Sequence, residues 1–291
     1  MKIAVMQLNS DADVTRNLAR ILDAMAEAVA THAPNIIALP EYALCLTADR
    51  EAARRNAQDF GNSTALQELS DFARHHGTAI HLGSVVERAT DGRYFNTTVV
   101  FGETGQVIAR YRKRNLFRSV HSDLRESVVH NEADFLAPGD ALSVFKMGGR
   151  MFGNAICYDL RFPDLFCALA ESGASIIFAP SAFTAKTGKS DWRNLLQARA
   201  KETKSYIVAA NQCGFFDSGR YESWGHSMVV GPHGDLLTQA QDRPCAIFSD
   251  DLDGSVQRAP VLKSDFRAIK SLRRDCSLGR QGDVRCRRET N

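Results

Sequence analysis

Two hydrophobic periods alternate along this chain. Short β-branched runs have the look of strands, and between several of them stand stretches whose apolar residues recur every three or four positions. "KIAVMQL" (2–8) predicts a strand, and "NLARILDAMAEAVA" (17–30) predicts a helix with Leu18, Ile21, Leu22, Met25 and Val29 on one face. "NIIALPE" (35–41) predicts a strand that leaves its sheet through Pro40 and Glu41. "STALQELSDFARHHG" (63–77) predicts a second amphipathic helix, capped by Ser63 or Thr64 and stopped by Gly77. "TAIHLGSVVER" and "YFNTTVVFGETGQVIARYRK" follow as strands, with "GETGQ" as a hairpin turn.

The second half repeats this pattern. "RMFGNAICYD" (150–159) leads through the short helix "PDLFCALAESG" into the strand "ASIIFAPSA" (174–182). A long helix is expected over roughly 191–204, then one strand over "SYIVAANQCG" (205–214). A hairpin around "GPHG" (226–237) and a last strand over 245–252 close the pattern. "IIFAPS" echoes "IIALPE", which suggests two related β-α-β halves. Hairpins inside and helices outside predict an α/β class of stacked sheets with helices on both outer faces. Such a sandwich brings the C-terminal ends of several strands to one rim, where ligands bind in α/β sheets.

Composition narrows the function. The 291 residues are 44% hydrophobic and 24% charged, enough for a large core. A formal net charge of +2 gives no strong field for nucleic acid, although 263–291 holds nine basic against four acidic residues. The seven cysteines are scattered and form no CxxC pair, unlike a disulfide scaffold or a structural zinc site, and no metal is expected. No signal-peptide pattern opens the chain and no run of 18 apolar residues occurs, so a cytoplasmic protein off the membrane is expected. "GGRMFG" precedes a strand instead of opening a helix, so no dinucleotide or phosphate loop is supported and no cofactor is expected.

Three polar residues stand at comparable points, each at the end of an apolar run: Glu41, Lys113 and Cys157. Singly, each has a plain structural reading: a solvated carboxylate, one of a cluster with Arg110, Arg112 and Arg114, and a buried small hydrophobe. Together they supply what a thiol nucleophile needs, namely a base for its proton and a cation for an oxyanion.

From Lys2 to about Arg274 the chain resembles the nitrilase, or carbon–nitrogen hydrolase, superfamily. The resemblance is carried by "LPEY" (39–42), "YRKRNLF" (111–117), "NEADFLAPGD" (131–140), "GNAICYDLRFP" (153–163), "APSAFTAKTG" (179–188), "LLQARAKET" (195–203) and "WGHSMVVGPHG" (224–234). It implies a four-layer α-β-β-α sandwich of two mixed sheets, as one domain over 1–275 followed by a basic tail over 276–291. It also implies a homodimer or higher homo-oligomer. By position it implies catalytic roles for Glu41, Lys113 and Cys157, a second glutamate at Glu132, and an oxyanion donor in the backbone N–H of Tyr158.

"CYDLRFP" with "PSAFTAKTG" looks most like the branch that hydrolyses ω-amides of small keto acids and deaminated glutathione, releasing ammonia through a cysteine thioester. Arg161 is a candidate for a substrate carboxylate, with a bridge to Asp159 or Glu202 as the alternative. Tyr42, Phe117 and Phe183 are candidates for the acyl pocket, against ordinary packing. The branch has histidine where this chain has Asn115 and Asp191, and the charged stretch Arg118 to His130 lacks its usual glycines and proline. Asp191 thus opens the alternative of a cationic or carbamoyl-amine substrate. Nitrile hydrolysis and a catalytically idle interaction protein complete the rival readings.

Overall fold

The computed structural model describes residues 1–118, 131–250 and 252, all within the unit Met1–Val256. The expected boundary at 275, the basic tail and most of the charged stretch 118–130 lie outside the described residues.

The first half contains β1 (Ile3–Gln7), α1 (Val14–His32), β2 (Ile36–Ala38), α2 (Arg50–Arg55), α3 (Thr64–His76), β3 (Ala79–His81), β4 (Val85–Arg88), β5 (Tyr94–Phe101) and β6 (Val107–Arg112). The second contains β7 (Val144–Met147), β8 (Arg150–Asn154), α4 (Pro163–Glu171), β9 (Ile176–Phe178), α5 (Ala185–Thr203), β10 (Tyr206–Ala209), β11 (Cys213–Phe216), β12 (Tyr221–Trp224), β13 (Met228–Val230), β14 (Leu236–Gln239) and β15 (Cys245–Ser249). One mixed sheet runs β15-β1-β2-β3-β5-β4, with β6 on the other edge of β5; the second runs β14-β13-β10-β9-β8-β7. Within each half the central strands are parallel, β1-β2-β3 in one and β8-β9-β10 in the other. This is the echo read in "IIALPE" and "IIFAPS".

Side-chain alternation produces the layers. Ile3 and Val5 of β1 point inward and meet Phe152, Phe178 and Val208 of the second sheet in a shared inter-sheet core. Ala4 and Met6 point outward and pack under Leu18, Ile21 and Met25 of α1 and Leu69 of α3. On the far side Ile177 and Ile207 pack under Phe166 of α4 and Trp192 and Leu196 of α5. The result is the expected α-β-β-α sandwich. Burial of each such side chain contributes roughly 1.5–3 kcal/mol.

Ser63 caps α3 by accepting from the Leu66 N–H, and Gly77 ends it at φ 61°. Two expectations need correction. The long helix starts six residues earlier than 191, at Ala185, capped by the Thr184 hydroxyl. Gly188 interrupts the sequence pattern there, yet it lies inside the helix, and the position requires glycine because the Trp224 side chain packs where a Cβ would stand, 2.3 Å away. The single strand expected over 205–214 divides into β10 and β11, the latter pairing with β12 as a separate hairpin. The break falls at Asn211 and Gln212, whose side chains are wholly buried in hydrogen bonds to Gly225, Ser10 and Glu41. No helix among the described residues is long and apolar enough to cross a membrane.

Candidate active site

Both sheets deliver side chains to one cavity of about 220 Å³. Glu41 lies three residues past the end of β2, Lys113 directly after β6, and Cys157 three residues past β8. The Glu41 loop is fixed by close backbone packing: a Cβ on Gly83 would stand 1.9 Å from the Pro40 carbonyl oxygen, so only glycine fits beneath it. The structure thus brings together Glu41, Lys113 and Cys157, and with them Glu132, the second glutamate named in the sequence, from the 3₁₀ turn Glu132–Asp134.

Lys113 is the centre of the cluster. Its Nζ stands 2.8 Å from Glu41 Oε1 and 2.9 Å from Glu132 Oε2. Glu41 Oε1 also accepts from Asn96 Nδ2 at 2.9 Å, and Oε2 accepts from the Ala182 N–H at 2.9 Å. Glu132 accepts from the Tyr42 hydroxyl at 2.5 Å and the Phe117 N–H at 2.6 Å. Cys157 lines the same cavity, where the charges of Glu41 and Lys113 act on its thiol. Every charge here is paired and hydrogen-bonded, which is the condition for burying it.

The electrostatics separate the two carboxylates. Burial, opposed by Lys113 and reinforced by the charge of Glu132, pushes Glu41 above the usual carboxylate range. Glu132 feels the same burial, but Lys113, the Phe117 N–H and the Tyr42 hydroxyl outweigh it and hold Glu132 below that range. Burial works against the Lys113 ammonium, yet Glu132 and Glu41 more than offset it and hold the group well above an ordinary lysine. Burial, then the charge of Glu41, pushes the Cys157 thiol well up, so it rests as a thiol beside a carboxylate able to take its proton.

Cys157 opens the 3₁₀ turn Cys157–Arg161 with φ 47°, a left-handed conformation that persists only when its surroundings enforce it. Asp159 provides that enforcement. Wholly buried, it accepts from the Ile156 N–H at 2.9 Å, the Tyr111 hydroxyl at 2.7 Å, and the Asn115 N–H and side-chain amide at 3.0 and 2.8 Å. Tyr111 and Asn115 bracket Lys113, so one carboxylate ties the lysine's segment to the turn that Cys157 opens. Tyr158 occupies the second position of the turn, and its ring meets Phe117 edge-on at 5.4 Å.

Tyr42, Phe117, Phe183 and Arg161 line the cavity, whereas Asn115 and Asp191 are not among its described lining residues. Asn115 is turned toward Asp159, and Asp191 reaches the cavity only through Arg161. Arg161 bridges neither Asp159 nor Glu202: its guanidinium donates to Asp191 at 2.6 Å, with each side chain about 32% exposed. Arg50, also lining the mouth, is paired with Asp134 at 2.7 Å. Sequence reasoning missed Asn96, Tyr111 and the role of Asp159. The one available signal was "CYD" itself, an acidic residue closing an apolar run.

The carbon–nitrogen hydrolase family matches residues 2–260. A deaminated glutathione amidase of Yersinia enterocolitica is 34% identical, covering 93% of this chain and 94% of the relative. An omega-amidase of Homo sapiens is 32% identical, covering 92% and 97%. Among solved structures, a branch 10 member of the nitrilase superfamily from Saccharomyces cerevisiae superposes with a TM-score of 0.77 at 27% identity, over 97% of this chain and 96% of that one. An amidase variant from Nesterenkonia sp. AN1, with acrylamide added to its active-site cysteine, superposes with a TM-score of 0.71 at 27% identity, over 94% and 99%. Fold and site define a nitrilase-type hydrolase. The chain belongs to the carbon–nitrogen hydrolase family.

Proposed function

We propose that this enzyme hydrolyses the C–N bond of a small linear amide through a Cys157 thioester, releasing ammonia. The supporting observation is the placement of the Lys113 ammonium between Glu41 and Glu132, at hydrogen-bond distance from both, in the cavity that Cys157 also lines.

The steps follow from these positions. Glu41 takes the thiol proton as Sγ attacks the carbonyl carbon of the amide. The oxyanion that forms meets the Lys113 ammonium and the Tyr158 N–H, and loss of one such donor typically costs about 3 kcal/mol. Glu41 returns the proton to the nitrogen, the C–N bond breaks, and ammonia leaves. Glu41 then deprotonates a water molecule, whose oxygen attacks the thioester. Collapse of that second intermediate expels Sγ, which regains its proton, and a carboxylic acid departs. Glu132, held ionised, fixes Lys113 throughout.

The substrate read from the resemblance is a small ω-amide of a keto acid or deaminated glutathione, as in the two named relatives. The cavity walls of Tyr42, Phe117 and Phe183 suit a short acyl chain. A second reading, a carbamoyl amine or another neutral linear amide, is favoured by the Asp191 carboxylate on Arg161, which neutralises the cation that would meet a substrate carboxylate. An ammonia assay over matched ω-amides, carbamoyl amines and nitriles decides between them; a panel with no turnover in any class, by folded enzyme, contradicts the proposal. A homodimer in the cytoplasm completes it. Free thiols at all five described cysteines suit a reducing compartment. Light scattering of the purified chain tests the assembly.

A further inference from the structure

Asn96 on β5 is wholly buried, and its backbone carbonyl accepts from the Lys113 N–H at 2.8 Å. Its side-chain amide nitrogen stands 2.9 Å from Glu41 Oε1 and 3.5 Å from Glu132 Oε1. Its amide oxygen, equally buried, has no hydrogen-bond partner among the described residues. Turning the amide over would aim that oxygen at two carboxylates, so the donor end is committed to them. A buried acceptor without a partner is costly and rare, and in a native structure it calls for a physical reason.

We propose that Asn96 is a positioning residue of the reaction, whose amide determines which of the two buried carboxylates is free to take the thiol proton. Each group facing the pair has a different bias. Lys113, from the end of β6, contacts both carboxylates at nearly equal distance and cannot discriminate. The Tyr42 hydroxyl and the Phe117 N–H donate only to Glu132 and favour its ionised form. Opposite them, Glu41 accepts from the Ala182 N–H and from Asn96, and shares its cavity with the Cys157 thiol. Among these, Asn96 is the side-chain donor that carries no charge, does not titrate and favours Glu41 over Glu132. Without it, Glu41 keeps its proton to higher pH and the base is lost.

This inference rests on the reading of Glu41 as base, and the experiment separates the two. The rate of Cys157 carbamidomethylation by iodoacetamide is measured against pH in intact enzyme, alongside the acid limb of kcat/KM. Asn96→Ala is expected to move both limbs upward by about one pH unit. Asn96→Asp, which adds a third carboxylate in the same shape, is expected to move them further. If Asn96→Ala fails to fold, Asn96→Asp and Asn96→Ser carry the comparison. Glu41→Gln should remove the alkylation limb; its persistence overturns the reading of Glu41. A limb lost in Glu41→Gln but unmoved in the folded Asn96 variants overturns the role of Asn96 alone. A merely structural asparagine lowers Tm and leaves the limb where it was.

Discussion

The floor and the mouth of the cavity are both built from paired charges, yet the pairs differ in kind. At the floor, Lys113 and Glu41 are nearly free of solvent contact, and each carboxylate oxygen of the Glu41–Glu132 pair has a specific donor. At the mouth, Arg161–Asp191 and Arg50–Asp134 are a third to a half exposed. Coulombic attraction at the floor is little screened, and removing one partner leaves a buried charge uncompensated. At the mouth, water and salt reduce each pair to about 0–1 kcal/mol. In the proposed mechanism, the chemistry is thereby fixed where exchange is expensive, and selectivity is assigned to where exchange is cheap.

Substitutions at the two ends should differ accordingly. Cys157→Ala removes the proposed nucleophile and should lower ammonia release by about 10⁴-fold or more, with Tm near wild type. Residual turnover close to wild type would contradict its role. Lys113→Met should lower kcat by about 10³-fold and leave two buried carboxylates facing each other, so Tm should fall as well. An unchanged kcat would remove the lysine from the mechanism.

Asp159→Asn tests the bond between the Lys113 segment and the Cys157 turn without touching either of those side chains. It turns one oxygen of a four-donor acceptor into a donor, and should reduce kcat by about 10- to 100-fold with KM little changed. A loss confined to Tm would make Asp159 structural only. Asp191→Asn should have the smallest effect, a few-fold rise in kcat/KM for substrates with a distal carboxylate relative to neutral amides. An equal change for both classes would dissociate Asp191 from selectivity.

The same contrast explains what could be read from the residues alone. Glu41, Lys113 and Cys157 each close an apolar run, and strand periodicity places such ends at a common rim. The layers were legible because Ile3 and Val5 alternate with Ala4 and Met6, one pair for each side of the sheet. Asn96 was not legible. It lies inside a strand whose alternation is regular, and only the approach of Glu41, 55 residues away in sequence, gives its amide a task. Asn115 was placed at the pocket because its neighbours are, but the direction of its side chain depends on Asp159, 44 residues further on. The early start of α5 was hidden by Gly188, whose missing side chain answers to Trp224 and not to the helix. Long-range partners, invisible to periodicity, decided each of these.

The most direct test of the account is to locate the covalent intermediate. Wild-type enzyme in excess is mixed with the best amide of the panel, quenched in acid within the first turnover and mapped by peptide mass spectrometry. Cys45 lines the same cavity and provides an internal control. The account predicts the acyl mass on the peptide containing Cys157, with one equivalent of ammonia released and Cys45 unmodified. Acylation of Cys45, or ammonia released by enzyme whose Cys157 never carries the acyl group, would contradict it.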